Sequence, residues 1–237
     1  MKMVRDTTGR FKDRPHYEPK ELDRECETII QSFLRKRYGV IKYPVSTDDL
    51  TVLIEAETDD LDHYADLGEY GQGVEGVTIF QPDAKPIVKI SAALSDDNRE
   101  NRHRTTLTHE YGHVRFHTYL FDQTAGSRDL FEMEEAPKDR IQVCKRDTIL
   151  EARNSDWMEW QAGHVCGAIL MPANAVRSII KDKFSAVADG EQSIDKDIAA
   201  AMIEQIQGDF QVSKDAARVR LLRLQVLPES LTSRTLF

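Results

Sequence analysis

The chain has 237 residues, 40% of them apolar, and a formal net charge of −9. That length suits one large domain, or a domain with an appendage, and the apolar share is enough for a core. The acidic balance argues against a dedicated nucleic-acid binder, because phosphate contact requires local positive charge. No apolar run reaches membrane-spanning length, so no membrane insertion is expected. Three cysteines without CxxC spacing fit a reducing, cytoplasmic setting.

Residues 1–17 open with MKMVRDTTGRFKDRP, which is basic but lacks the apolar stretch of a signal peptide, and are expected as a flexible polar arm. Residues 18–38 have helical periodicity, with Leu22, Ile29, Ile30 and Phe33 as the apolar stripe and Gly39 as the stop. VSTDDLTVLIEA predicts a short helix capped by Ser46 or Thr47, with Leu50, Leu53 and Ile54 inward. DHYADLG, VEGVTIF and KPIVKISAAL alternate as strands, with Gly71, Gly73 and Gly76 and then QPDAKP marking turns. The 3.6-residue period returns from about residue 97 to 121. Residues 122–155 form a charged insert, with one hairpin expected around IQVCKRDTI and a role as a lid or substrate-selecting loop. Residues 156–171 read as a helix ending at Pro172, followed by helices in AVRSIIKDKF, DIAAAMIEQIQGDF and SKDAARVRLLRLQ. The last two have the spacing of a helix-turn-helix: Phe210 and Val212 bracket a turn, Ser213 caps, and Ala216, Val219 and Leu222 point inward. Lys214, Arg218, Arg220 and Arg223 are then expected outward, where a recognition helix would hold phosphates. In so acidic a chain, a solvated helical bundle is the preferred reading of that segment.

TLTHEYGHVRFH, residues 106–117, carries the chemistry. At about 100° per residue, His109, His113, His117 and Glu110 share one face, and Leu107, Tyr111, Val114 and Thr118 form an apolar stripe beside it. Histidines at i and i+4 can converge on one tetrahedral ion, and Glu110 beside them suits a base better than a ligand. Gly112 lies where a missing side chain lets another backbone approach. Catalytic zinc takes three protein ligands, and Glu151, Glu159, Cys144, Cys166 and His164 are the candidates for the third. Glu159 has a local alternative as the reciprocal partner of an Asp156 cap. His117 lies a further turn along and reads as a second-layer partner of a ligand.

RTTLTHEYGHVRFH, preceded by the strand KPIVKISAAL and followed by EWQAGHVCGAILMP, resembles the ImmA/IrrE-like zinc metallopeptidases over roughly residues 45–172. The resemblance implies an α+β, zincin-like fold with an active-site helix beside a small sheet, followed by the C-terminal helical segment. It implies Zn2+ held by His109, His113 and Glu159, with Glu110 as general base on zinc-bound water. The chain departs from the family pattern at Gly163, where Asn or Asp is usual, and at Val165-Cys166 in place of Phe-Ala. The expected organisation is an arm (1–17), a metallopeptidase domain (18–190) and a helix-turn-helix-like appendage with a tail (191–237). The expected activity is cleavage of a regulatory protein, a helix-turn-helix repressor in the family's known members. The strand at KPIVKIS is expected to receive the extended substrate as an added strand, and His117, His164, Tyr111 and Tyr119 are candidate oxyanion donors. The alternatives are a catalytically silent DNA-binding regulator with a zincin-like fold, and a protein-interaction or toxin component.

Overall fold

Period-2 alternation builds a four-stranded sheet from β3 (Asp60–Ala65), β4 (Val74–Ile79), β5 (Ile87–Ser91) and β6 (Ile141–Lys145), in the order β3-β5-β4-β6. β3 runs parallel to β5, while β4 is antiparallel to both β5 and β6. The computed structural model describes residues 1–125, 140–145, 156–190 and 192–232. The second strand of the hairpin expected around IQVCKRDTI, and most of the insert expected as a lid, lie outside those residues. The fold is α+β, and among the described residues no helix is long and apolar enough to cross a membrane.

Alternation gives the sheet two different faces. Val77, Ile79, Ile141 and Val143 gather on one side with Ala65, Leu67 and Tyr70 in an apolar cluster. Gly76, Thr78, Val88, Ile90, Gln142 and Cys144 share the other side by register, Gly76 opposite Ile90 and Cys144, Thr78 opposite Val88 and Gln142. Against β4 and β5 packs α3 (Glu100–Ala125), and against α3 packs α2 (Thr47–Glu55). Ser46 caps α2 by accepting from the Asp49 amide, and Leu50, Leu53 and Ile54 are buried as expected. KPIVKIS corresponds to β5, which lies between β3 and β4. Both its edges are paired, so it cannot take a substrate as an added strand; β3 and β6 end the sheet among the described residues.

The first seventeen residues are not a loose arm. β1 (Lys2–Arg5) and β2 (Asp13–His16) form an antiparallel hairpin, with Asp6 accepting from the amides of Thr8 and Phe11 in the connection. Phe11 sits edge-on to Phe121 at 5.3 Å and to Trp157 at 6.1 Å between ring centroids, and the Arg14 guanidinium lies over the Trp157 ring. These partners are more than a hundred positions away, so no local pattern announces the hairpin.

The contacts divide the chain into two compact units, Met1–Leu22 with Ser46–Cys166, and Asp23–Val45 with Gly167–Phe237. Two of the three division points fall inside α1 (Pro19–Tyr38) and α4 (Trp157–Leu170), and the third lies between Val45 and Ser46. α1 ends at Gly39, whose φ of 74° suits glycine. In the second unit follow α5 (Ala173–Lys183), α6 (Ser185–Ala188), α7 (Lys196–Phe210) and α8 (Lys214–Arg223). Asp195 caps α7, Gln211 turns the chain at φ 50°, and Ser213 caps α8 by accepting from the Ala216 amide. The helix pair therefore forms as the sequence suggests, but its inward face differs. Ala216, Ala217, Arg220 and Leu221 are buried, while Val219 and Leu222 are half-buried. Arg220 points inward because Asp23 offers a counter-charge at 2.7 Å and the Met171 carbonyl accepts from Nε at 2.9 Å.

In the first unit the close approach expected at Gly112 is present: a Cβ there would lie 2.9 Å from the Ala162 Cα. Gly112→Ala gains about 1 kcal/mol of helix propensity but overpacks α3 against α4, at a cost of about 1–3 kcal/mol. The variant should show a lowered denaturant midpoint; an unchanged or raised midpoint would show that the two helices yield to the extra methyl.

Candidate metal centre

His109 and His113 stand one turn apart on α3, and Glu159 reaches them from the first turn of α4. Asp156 does cap α4, its Oδ1 accepting from the Glu159 amide at 3.3 Å, but the Glu159 side chain takes no part in a capping box. Its carboxylate lies against both histidines: Oε2 is 3.1 Å from His109 Nε2 and Oε1 is 3.1 Å from His113 Nε2. The two Nε2 atoms are 3.2 Å apart. Donors at about 2.0–2.1 Å from a tetrahedral ion are separated from one another by about 3.3 Å. The two imidazole nitrogens lie at about that separation, each with one of the two Glu159 oxygens beside it, and one ligand atom from each of the three side chains lies within 4.8 Å of the others; two imidazoles and one carboxylate are a donor set that suits zinc.

Glu110 turns from the helix toward the sheet. Thr78 donates to its Oε2 at 2.6 Å, while Oε1 is buried with no hydrogen-bond partner among the described residues. Gly76, next but one on β4, makes room: a Cβ there would collide with the Glu110 carboxyl and with the Thr106 methyl. Gln142 on β6 donates through Nε2 to Glu159 Oε1, and accepts at Oε1 from Arg10 Nη1 at 2.7 Å. His117 Nδ1 lies 3.1 Å from His113 Nδ1, and His117 Nε2 lies 3.0 Å from Gln161 Oε1.

The centre is enclosed. His109, Glu110, His113 and His117 are 0% exposed and Glu159 5%. Burial dominates the proton affinities. It pushes the Glu110 carboxyl up, only partly opposed by His113, His109 and the Thr78 hydroxyl. Burial also pushes Glu159 up, but the His113 charge and hydrogen bonds from His109 outweigh it and hold the carboxyl well below its usual range. Burial disfavours a charged His109, yet Glu159 and Glu110 reverse this and raise it. His117 is held well below the ordinary histidine range by burial first and His113 second.

Of the other candidate ligands, Cys144 comes near His109 and Glu110, but burial and then Glu110 push its thiol well up, which keeps it protonated. Cys166 donates to the Thr105 carbonyl, His164 is buried with its ring 5.6 Å from that of Trp160, and Glu151 lies outside the described residues. Among the candidate oxyanion donors, Tyr111 is turned to Glu57 at 3.2 Å. Tyr119 packs its ring on the cluster of Phe80, Leu120, Phe121, Trp157 and Met158. A cavity of about 840 Å³ is lined by Val114, Arg115 and Thr118 on the other side of α3 and includes none of the donor residues. Thr78, Gln142 and Gln161 carry no sequence signal of their own; Gly76 does not mark the turn that its residue type suggests but lies inside β4, where a strand glycine signals close approach.

No protein-family model matches the chain, and no curated protein matches it.

A zinc ion held by these residues would require neutral His109 and ionised Glu159. Glu159 stays ionised well into acid, so His109, with its raised pKa, sets the window. As pH falls through that raised value, a proton competes for Nε2 and affinity for zinc should drop. Calorimetric titration in buffers of different ionisation enthalpy should show proton release on binding near neutral pH; binding without proton exchange would contradict a protonated His109 in the metal-free protein.

Proposed function

We propose that the chain is a zinc-dependent endopeptidase acting on a regulatory protein, with His109, His113 and Glu159 as ligands and Glu110 as general base. The observation that carries the reading is the donor triangle with Glu110 Oε1 unpartnered beside it. A zinc ion held there supplies Lewis acidity, polarising the scissile carbonyl and acidifying water. Glu110 takes a proton from the attacking water at Oε1 and returns it to the leaving amine. Thr78 holds the other oxygen, so the carboxylate does not rotate away. The raised proton affinity of Glu110 brings it toward the range where one group both accepts and donates near neutrality. Enclosure strengthens each of these interactions by excluding water.

The two motifs that resemble the ImmA/IrrE-like peptidases support this reading and suggest a transcriptional repressor as substrate. The capped pair α7 and α8 favours the DNA-binding alternative. Burial of Arg220 withdraws one of its four cations, and a silent regulator has no use for a base at Glu110.

Elemental analysis should find about one zinc per chain, clearly less in Glu159→Ala. Glu110→Gln should keep the zinc and lose about 100- to 10,000-fold in cleavage of candidate repressors. Gly76→Ala should behave like Glu110→Gln, because its methyl displaces the base and no ligand. A Glu110→Gln protein that cleaves at the wild-type rate would end the assignment.

A further inference from the structure

The polar partners of the donor triangle lead back to one place, the N-terminal hairpin. The Pro15 carbonyl in β2 accepts from Gln161 Nε2 at 2.9 Å. A carbonyl can only accept, so the Gln161 amide is fixed with Oε1 toward His117. Oε1 in turn can only accept, so His117 carries its proton on Nε2 and leaves Nδ1 as a lone pair. That lone pair faces His113 Nδ1 at 3.1 Å, so His113 is protonated on Nδ1. That leaves Nε2, the atom in the donor triangle, as the His113 nitrogen available to an ion.

A second relay starts five residues earlier in the same hairpin. Arg10 has only donors, so its 2.7 Å bond fixes Gln142 with Oε1 toward the guanidinium and Nε2 toward Glu159. The amide then holds Glu159 Oε1, the oxygen nearest His113. Each relay has a glutamine as its directional coupler, and each starts from an atom that can play only one hydrogen-bonding role. Phe11, wedged against Phe121 and Trp157, keeps both starting points in place.

We propose that the N-terminal hairpin is part of the metal centre, with Gln161 and Gln142 as positioning residues that set the tautomer of His113 and the orientation of Glu159. The metal role rests on the peptidase reading; the hydrogen-bond direction does not. Partners of this kind change metal affinity by about 10- to 100-fold when lost.

The test uses the full-length chain. Long-range ¹H–¹⁵N histidine spectra of the zinc-free wild type should show His117 protonated on Nε2 and His113 on Nδ1. Gln161→Met should turn His113 into a tautomer mixture, and both Gln161→Met and Gln142→Met should weaken zinc in chelator competition by about 10- to 100-fold. His117 carrying its proton on Nδ1 in the wild type would overturn the proposal, even if neither variant folds. So would a folded Gln161→Met protein with wild-type zinc affinity. A wild type that shows the expected tautomers but takes up no zinc would sink the peptidase reading and leave the relay standing.

Discussion

An ionised carboxylate removed from water must meet a counter-charge, a set of donors or an ion. Glu159 is nine-tenths removed or more, and everything around it answers that demand. Two imidazoles face its two oxygens and an amide holds one of them. The approach that brings it there depends on Gly112, since a side chain at that position would press on the Ala162 backbone. The neighbouring carboxylate, Glu110, depends in the same way on Gly76. Two bare positions, one on a helix and one on a strand, thus set the spacing of two acids with opposite proton affinities. Burial wins at Glu110 and the histidines win at Glu159. Separation of paired acids in this sense is what a site needs if one is to bind and the other to move protons.

The parts legible in the sequence are those whose cause is local. The i, i+4 histidines, the helix that carries them, the capped α2 and the alternating strands follow from short-range periodicity. Glu159 is one of several candidates by residue type, and the second motif of a family resemblance singles it out. Strand order was not legible, because β5 becomes an inner strand only when β3 pairs with it in parallel, a choice made by the crossover and not by the strand. The position of Arg220 on α8 predicts an outward side chain. Its burial is caused by Asp23, 197 positions away. Gln142 and Gln161 are invisible for a further reason: glutamine is an ordinary surface residue, and only the atoms at its two ends give it a direction.

The hairpin was hidden by the same distance, and that distance has a consequence for assembly. Arg10 and Gln142 are 132 positions apart, and Pro15 and Gln161 are 146 apart. Contacts of such separation close only after the chain between them is largely organised, since loop closure must be met before they reward it. During synthesis the hairpin emerges before α4, the last element of its unit in chain order, and waits for it. The two histidines are on one helix and can take their places early, whereas Glu159 and the couplers arrive only when the ends of the unit meet. Completion of the donor triangle therefore reports that the unit has closed, and an ion captured by all three donors would be captured by a chain that has finished folding.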